Sequence, residues 1–320
     1  MELEEIYSRI AATREEIFRG KIKSYSFGEH KSRASSQGID FKEINEWNRR
    51  EPLRRISWPL SFASWPKKAY KLEMVDPRNA PLILLADISP SMLVRISEEA
   101  NKARLLLELI GTLGSSAEYL KDPVGFCCFS DKVEFYLRYK IGRGNLFNGI
   151  KLIFDRLKEL DETIASGRYR AAPNKTDVNQ ALYFISARIK RQCSIVILSD
   201  FSDVISGRVE LDMPTLQALS ARYGWNVIAV FLDDPLELDW QSSGGTVRTR
   251  DIESGTMETI RAGRIKGFRA EVETKRERLM ARLKESGVDS IILAYGENGE
   301  HHTELAGFLS KRKRMIPLGG

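Results

Sequence analysis

Histidine and cysteine are scarce, with three of each in 320 residues. His30, His301 and His302 are too few and too scattered along the chain for a zinc site or a catalytic triad, and none is assigned a catalytic role. Cys127, Cys128 and Cys193 lie in apolar, strand-like runs without metal-ligand spacing, so they read as small core hydrophobes in a reducing compartment. No stretch approaches the about 18 apolar residues of a membrane span, since even Leu105 to Ile110 is flanked by Arg104 and interrupted by Glu108. The amino terminus, MELEEIYSRI, carries acids where a secretory leader needs a basic and then an apolar region, and a cytoplasmic protein is expected. A phosphate-binding loop is also missing. Gly142-Arg143-Gly144-Asn145 has neither a third glycine nor a Gly-Lys-Ser and reads as a plain turn.

The net charge of +6 raises the question of nucleic acid. Residues 1–80 hold 16 Lys+Arg and 12 Asp+Glu, a mild excess spread along the segment, which describes a solvated surface. The one dense run, Lys311-Arg312-Lys313-Arg314, is expected as a frayed basic tail after the last helix. An acidic partner is its second reading, and nucleic-acid binding, testable by salt-dependent binding to duplex, a distant third.

What is present is organised around Leu82 to Met92, LILLADISPSM. Leu82, Ile83, Leu84, Leu85 and Ala86 run without alternation into Asp87, as in a central parallel strand buried on both faces. Beyond it, Asp87, Ser89 and Ser91 follow at alternate positions with Pro90 stiffening the turn, outside the strand end where open α/β sheets bind ligands. One carboxylate beside two hydroxyls suits a hard cation such as Mg2+. The alternative is a serine-rich helix entrance in which Asp87 or Ser91 caps backbone N–H groups. A second buried run, Ser194 to Leu198, ends in Ser199-Asp200-Phe201. If the two strands are neighbours, Asp87 and Asp200 face one pocket. Thr176 sits at the entrance of a helical pattern (Val178, Ala181, Leu182, Ile185, Ile189), where it or Asp177 could serve as the N-cap.

Along the chain, residues 2–19 read as an amphipathic docking helix. Residues 21–70 read as irregular structure interrupted by glycines and prolines, with Trp47, Trp58 and Trp65 as aromatic plugs against a neighbouring domain. Strands are expected at 70–75, 124–129, 133–139 (an antiparallel edge), 225–232 and 288–294. Helices are expected at about 98–120, 146–160, 269–285 and 303–309, with a polar hairpin at 246–255. Strands alternating with helices imply an α/β fold with a doubly wound, mainly parallel, Rossmann-type sheet over residues 76–320, preceded by an appendage over 1–75.

The spelling Asp-x-Ser-x-Ser at Asp87, Ser89 and Ser91 resembles the metal-ion-dependent adhesion site of the von Willebrand factor A fold. The resemblance implies that a loop threonine and a later strand-end aspartate complete the site, matched here by Thr176 and Asp200. Upstream, the order Gly28, His30, Ser32, Gly38, Asp40-Phe41, Glu46-Trp47, Arg54, Ile56, Trp58 and Ser61 resembles the signature of the domain-of-unknown-function 58 family. Asn45, Trp47, Arg50-Glu51 and Ser57 depart from its usual spelling and mark a divergent member.

The resemblance implies Mg2+, or Mn2+ or Ca2+, held by Asp87, Ser89, Ser91, Thr176 and Asp200, with an open position for an acidic residue of a client protein. It also implies a MoxR-type AAA+ ATPase partner and a chaperone-like, non-catalytic role in assembling or activating clients, metalloenzymes such as methanol dehydrogenase among them. The competing reading is an Mg2+-dependent phosphotransferase or hydrolase using Asp87. Such enzymes pair the aspartate with a second acid two residues on, where this chain has Ser89, and no general acid or base with a positioning partner is evident.

Overall fold

The computed structural model describes residues 3–18, 41–47, 53, 56–63, 68–74, 80–94, 102–169, 175–234, 246–250, 257–296 and 299–315. Trp65, His30, most of the upstream signature, the turn at 76–79, residues 95–101 and the tip of the 246–255 hairpin lie outside them. The chain divides into two compact units, one of residues 29–79 and one of residues 1–28 with 80–320.

The smaller unit is more regular than its glycines and prolines suggested. After the first helix, α1 (Leu3–Phe18), which belongs to the larger unit, the chain forms β1 (Phe41–Glu46), α2 (Trp58–Ala63) and β2 (Tyr70–Met74). β1 and β2 pair antiparallel. Ser61 ties α2 to the ribbon, accepting from the Tyr70 N–H at 2.9 Å while donating to the Ser57 carbonyl at 2.8 Å. Trp58 stacks on Phe62 within this unit, with ring centroids 5.9 Å apart.

The larger unit is built on a six-stranded sheet. β3 (Leu82–Asp87), α3 (Lys102–Tyr119), β4 (Val124–Phe129), β5 (Val133–Lys140), α4 (Arg143–Ala165), α5 (Val178–Arg188) and β6 (Ser194–Ser199) lead into α6 (Ser202–Ile205), α7 (Met213–Tyr223) and β7 (Asn226–Asp233). The ribbon β8 (Thr246–Arg250) and β9 (Met257–Arg261), then α8 (Ala262–Glu285), β10 (Asp289–Ala294) and α9 (Glu300–Met315) complete it. The strand order is β10-β7-β6-β3-β4-β5, parallel throughout except for the antiparallel edge pair β4 and β5.

Side-chain alternation divides the core in two. Leu82, Leu84 and Ala86 face a cluster supplied by α1, α3, α4 and α9, whereas Ile83 and Leu85 face one supplied by α5, α7 and α8. Both faces of β3, β4 and β6 are therefore covered, which is why these strands are unbroken apolar runs. Helix α1 is part of this core: Ile6 and Ile10 are buried, and Ile10 lies where a Cβ on Gly111 of α3 would stand, so the glycine permits the close approach. The cysteines are free and buried as expected, and burial pushes the Cys127 and Cys193 thiols up to about 12.

Two expectations need correction. The run Lys311 to Arg314 lies within α9 rather than in a frayed tail beyond it. The segment between Phe201 and Trp225, for which no element was expected, holds α6 and α7. Among the described residues no helix is long and apolar enough to cross a membrane.

Candidate metal centre

The chain enters the sheet at β3, builds outward through β4 to β5, then returns to the other side of β3 with β6 and continues to β7 and β10. The direction of winding therefore reverses between β3 and β6. Adjacent loops diverge at such a switch point and leave a crevice at the carboxyl ends of the strands. Asp87 is the last residue of β3, and Asp200 directly follows β6.

Both Asp87 carboxylate oxygens have a donor. Oδ1 accepts from the Ser89 N–H at 2.9 Å, which tightens the turn into the 3-10 turn Pro90–Leu93, and Oδ2 accepts from Ser199 Oγ at 2.5 Å. Ser89 Oγ and Ser91 Oγ are hydrogen-bonded at 3.0 Å, so the two motif serines share one side of the turn. Asp87, Ser89 and Ser91 are all buried. Burial, followed by the nearby Asp200 charge, raises the Asp87 carboxyl to about 7 despite the hydrogen bonds from Ser199 and Ser89.

Asp200 differs. Burial alone would raise its carboxyl, but Lys102, by charge and by a hydrogen bond from Nζ to Oδ2 at 2.8 Å, lowers it, helped by the Ser202 N–H on Oδ1 at 3.0 Å. Lys102 opens α3 and is only 2% exposed. The sequence reading missed it, because a lysine at the start of a helix ordinarily reads as solvated.

Thr176 lines a small cavity at the sheet edge together with Asp87, Phe129, Ser199 and Asp203. Its N–H donates to Asp203 Oδ2 at 2.5 Å, and Asp203 is also ion-paired with Arg208. The N-cap of α5 is Asp177, whose Oδ1 accepts from the Asn179 N–H at 3.0 Å, so capping accounts for Asp177 and not for the Thr176 hydroxyl. Asp87, Ser199 and Thr176 thus share the cavity wall, Ser89 and Ser91 are joined to Asp87 through the turn, and Asp200 is turned to Lys102. Ser199 is the second residue that sequence reasoning missed. Its signal is register: Ala86 pairs with Leu198, which sets Ser199 beside Asp87.

The histidines also require correction. His301 and His302, in the first turn of α9, meet Glu108 of α3, and one ligand atom from each of the three lies within 4.8 Å of the others. Burial, then the neighbouring His301, lowers His302 to about 4. Burial would raise Glu108, but His301, Arg9 and Arg104 more than offset it and hold the carboxyl below its ordinary value. The separation of 193 positions between Glu108 and His301 hid this cluster from a linear reading.

Taken together, the chain is an α/β protein with an open, mostly parallel sheet and paired carboxylates at its switch point. It belongs to the family described as "Protein of unknown function DUF58", whose profile matches residues 47–282. Similar solved structures include a conserved hypothetical protein BatB from Bacteroides thetaiotaomicron, 14% identical over 73% of this chain and 99% of that one, with a TM-score of 0.40. They also include an uncharacterized membrane-spanning protein from Vibrio fischeri, 11% identical over 73% of this chain and 98% of that one, TM-score 0.20. A third is a point mutant of the PilB minor pilin from Streptococcus sanguinis, 11% identical over 78% of this chain and 66% of that one, TM-score 0.33. No curated protein matches the chain.

Proposed function

We propose that the larger unit is a von Willebrand factor A-like domain whose switch-point cluster is an adhesion-type metal site, and that the chain is a non-catalytic adaptor. The observation that carries this reading is the placement of Asp87 and Asp200 at the ends of neighbouring parallel strands, close enough for the charge of one to raise the other. Two buried carboxylates beside one ammonium form a site short of positive charge. The donors are all oxygens, which fits a hard dication such as Mg2+, Mn2+ or Ca2+. Asp87, Ser89, Ser91, Thr176 and Asp200 would hold it. Bound there, the ion supplies a positive charge that a partner's carboxylate can ligate.

Ligation is favoured over attack by Asp87 on a phosphoryl group. The residue two positions on from Asp87 is Ser89 rather than the second acid such enzymes carry, and its hydroxyl is hydrogen-bonded to Ser91. The family resemblance supplies the expected setting, a MoxR-type AAA+ ATPase that provides the nucleotide chemistry while this chain presents a client.

The test is binding of the purified chain to a candidate MoxR-type ATPase and its clients, with Mg2+ or with chelator, alongside phosphatase and nucleotide-hydrolysis assays of the chain alone. Binding lost in chelator and in Asp87→Ala is the expected result. Turnover by the chain alone that Asp87→Ala abolishes would overturn the adaptor reading, and binding indifferent to chelator would remove the metal from it.

A further inference from the structure

The Glu108 cluster is built in a way that its position in the core alone does not explain. Glu108 sits midway along α3, a helix buried along most of its length, and its two carboxylate oxygens face different chemistry. Oε1 faces cations, with Arg104 Nε at 3.3 Å and Arg9 at 3.5 Å. Oε2 faces imidazoles, with His301 Nε2 at 3.3 Å and His302 Nε2 at 4.0 Å. The guanidiniums fix the carboxylate plane and present the second oxygen to the histidines.

The protons on the two rings are set by their far sides. Thr112 Oγ1 donates to the Glu108 carbonyl at 2.8 Å, so at 3.4 Å from His302 Nδ1 it offers a lone pair. His302 therefore carries its proton on Nδ1 and a lone pair on Nε2, the tautomer that a metal ligand held by an outer hydrogen bond adopts. The Gly296 N–H donates to His301 Nδ1 at 3.4 Å, which puts the His301 proton on Nε2, buried and 3.3 Å from Glu108 Oε2.

We propose that Glu108, His301 and His302 form a second metal site, separate from Asp87 and selective for a borderline transition dication of the Zn2+ class. Two imidazoles and one carboxylate are the donors such an ion prefers over Mg2+ or Ca2+. A tetrahedral ion with ligand bonds of about 2.1 Å holds its ligand atoms about 3.4 Å apart; Glu108 Oε2 stands 3.3 and 4.0 Å from the two imidazoles, and all three ligand atoms lie within 4.8 Å of one another, so capture draws the side chains together. Three protein ligands leave the fourth position to water, and the His302 side chain, 12% exposed, marks the access side. The nearby side-chain charges balance, with Arg9 and Arg104 offset by Glu108 and by Glu5, which is ion-paired with Arg104. Capture costs one long contact, from the Gly296 N–H to His301 Nδ1 at 3.4 Å, because a His301 that binds through Nε2 is protonated at Nδ1.

The test uses the full chain without a polyhistidine tag, stripped with chelator and dialysed against Zn2+ in the presence of excess Mg2+. Metal content and the ligand-field absorption of the Co2+ form are the readouts. One Zn2+ per chain is expected, with affinity at least about tenfold lower in Glu108→Gln and in His302→Gln and unchanged in Asp87→Asn. His302→Gln changes a partly exposed side chain and keeps the comparison valid should Glu108→Gln disturb Arg9 and Arg104. Failure of the folded wild-type chain to retain Zn2+, or retention at wild-type affinity in the folded His302→Gln variant, would overturn the assignment.

Discussion

Lys102 Nζ and Asp200 Oδ2 form a 2.8 Å ion pair in which neither side chain is more than 7% exposed, linking the first residue of α3 to the end of β6. Removing one partner of such a pair leaves a buried charge without compensation, at a cost of about 3–5 kcal/mol. Lys102→Met should lose stability of that order in chelator. If a dication binds Asp87 and Asp200, Mg2+ should restore much of the loss and bind more tightly than in wild type, because the ammonium no longer competes for Asp200. Urea unfolding with and without Mg2+ decides the matter, and a loss that Mg2+ leaves untouched would count against a cation site at these carboxylates.

Asp87 gives stability an unusual dependence on pH. Its carboxyl titrates near 7 in the folded protein against an ordinary value of 3.8, so between these limits the native state holds a proton that the unfolded chain has released. The Asp87 contribution to stability in chelator should therefore fall as pH rises through this window, by on the order of a few kcal/mol. Asp200 has the opposite sign: its lowered pKa contributes stability above the ordinary carboxylate range, lost only as pH falls through the folded value. His302, lowered to about 4, acts with the opposite sign below about pH 6.5, so the Asp87 effect is the difference between wild type and Asp87→Asn in their urea midpoints at about pH 5.5 and about pH 7.5.

Thr176 and Asp177 should separate cleanly. Asp177→Ala removes the α5 cap and should cost about 1 kcal/mol of stability while leaving Mg2+ affinity unchanged. Thr176→Val should weaken Mg2+ binding with little effect on stability, since the backbone N–H that meets Asp203 is retained. Calorimetric titration beside thermal melts would reveal the reverse pattern if the motif were only a cap.

Helix α1 should behave as core. Ile10→Ala removes a buried side chain packed at Gly111 and should cost about 2–5 kcal/mol, read as a lowered urea midpoint. A change below about 1 kcal/mol would place the helix outside the cooperative unit.

The parts of the fold legible in the sequence were those where burial leaves a one-dimensional trace. β3, β4 and β6 are covered on both faces and read as unbroken apolar runs, and β5 was recognisable as an edge because its residues are only half-buried. The adjacency of β3 and β6 was a condition of the metal reading and is met by their parallel pairing. α7 went unnoticed although Met213, Leu216 and Leu219 are spaced for one helical face and Asp212 and Gly224 bracket it as caps. At the site, Asp87, Ser89 and Ser91 were legible because a turn brings alternate residues together. Lys102, Ser199 and the meeting of Glu108 with His301 and His302 were not, since each depends on tertiary packing between positions about a hundred or more apart. Helix α3 itself was legible, but Arg104 and Glu108, read only as charges that exclude a membrane span, are partners i and i+4 inside the core.

α3 carries Lys102 at its first residue and Glu108 six positions later, about 9 Å along the axis at 1.5 Å per residue. Its apolar residues pack in one cluster with those of the sheet, α1 and α4. A slide or roll that altered the ammonium's grip on Asp200 would carry the Glu108 carboxylate with it by a similar amount. A rigid displacement of α3 would therefore reach the switch-point crevice and the histidine cluster together.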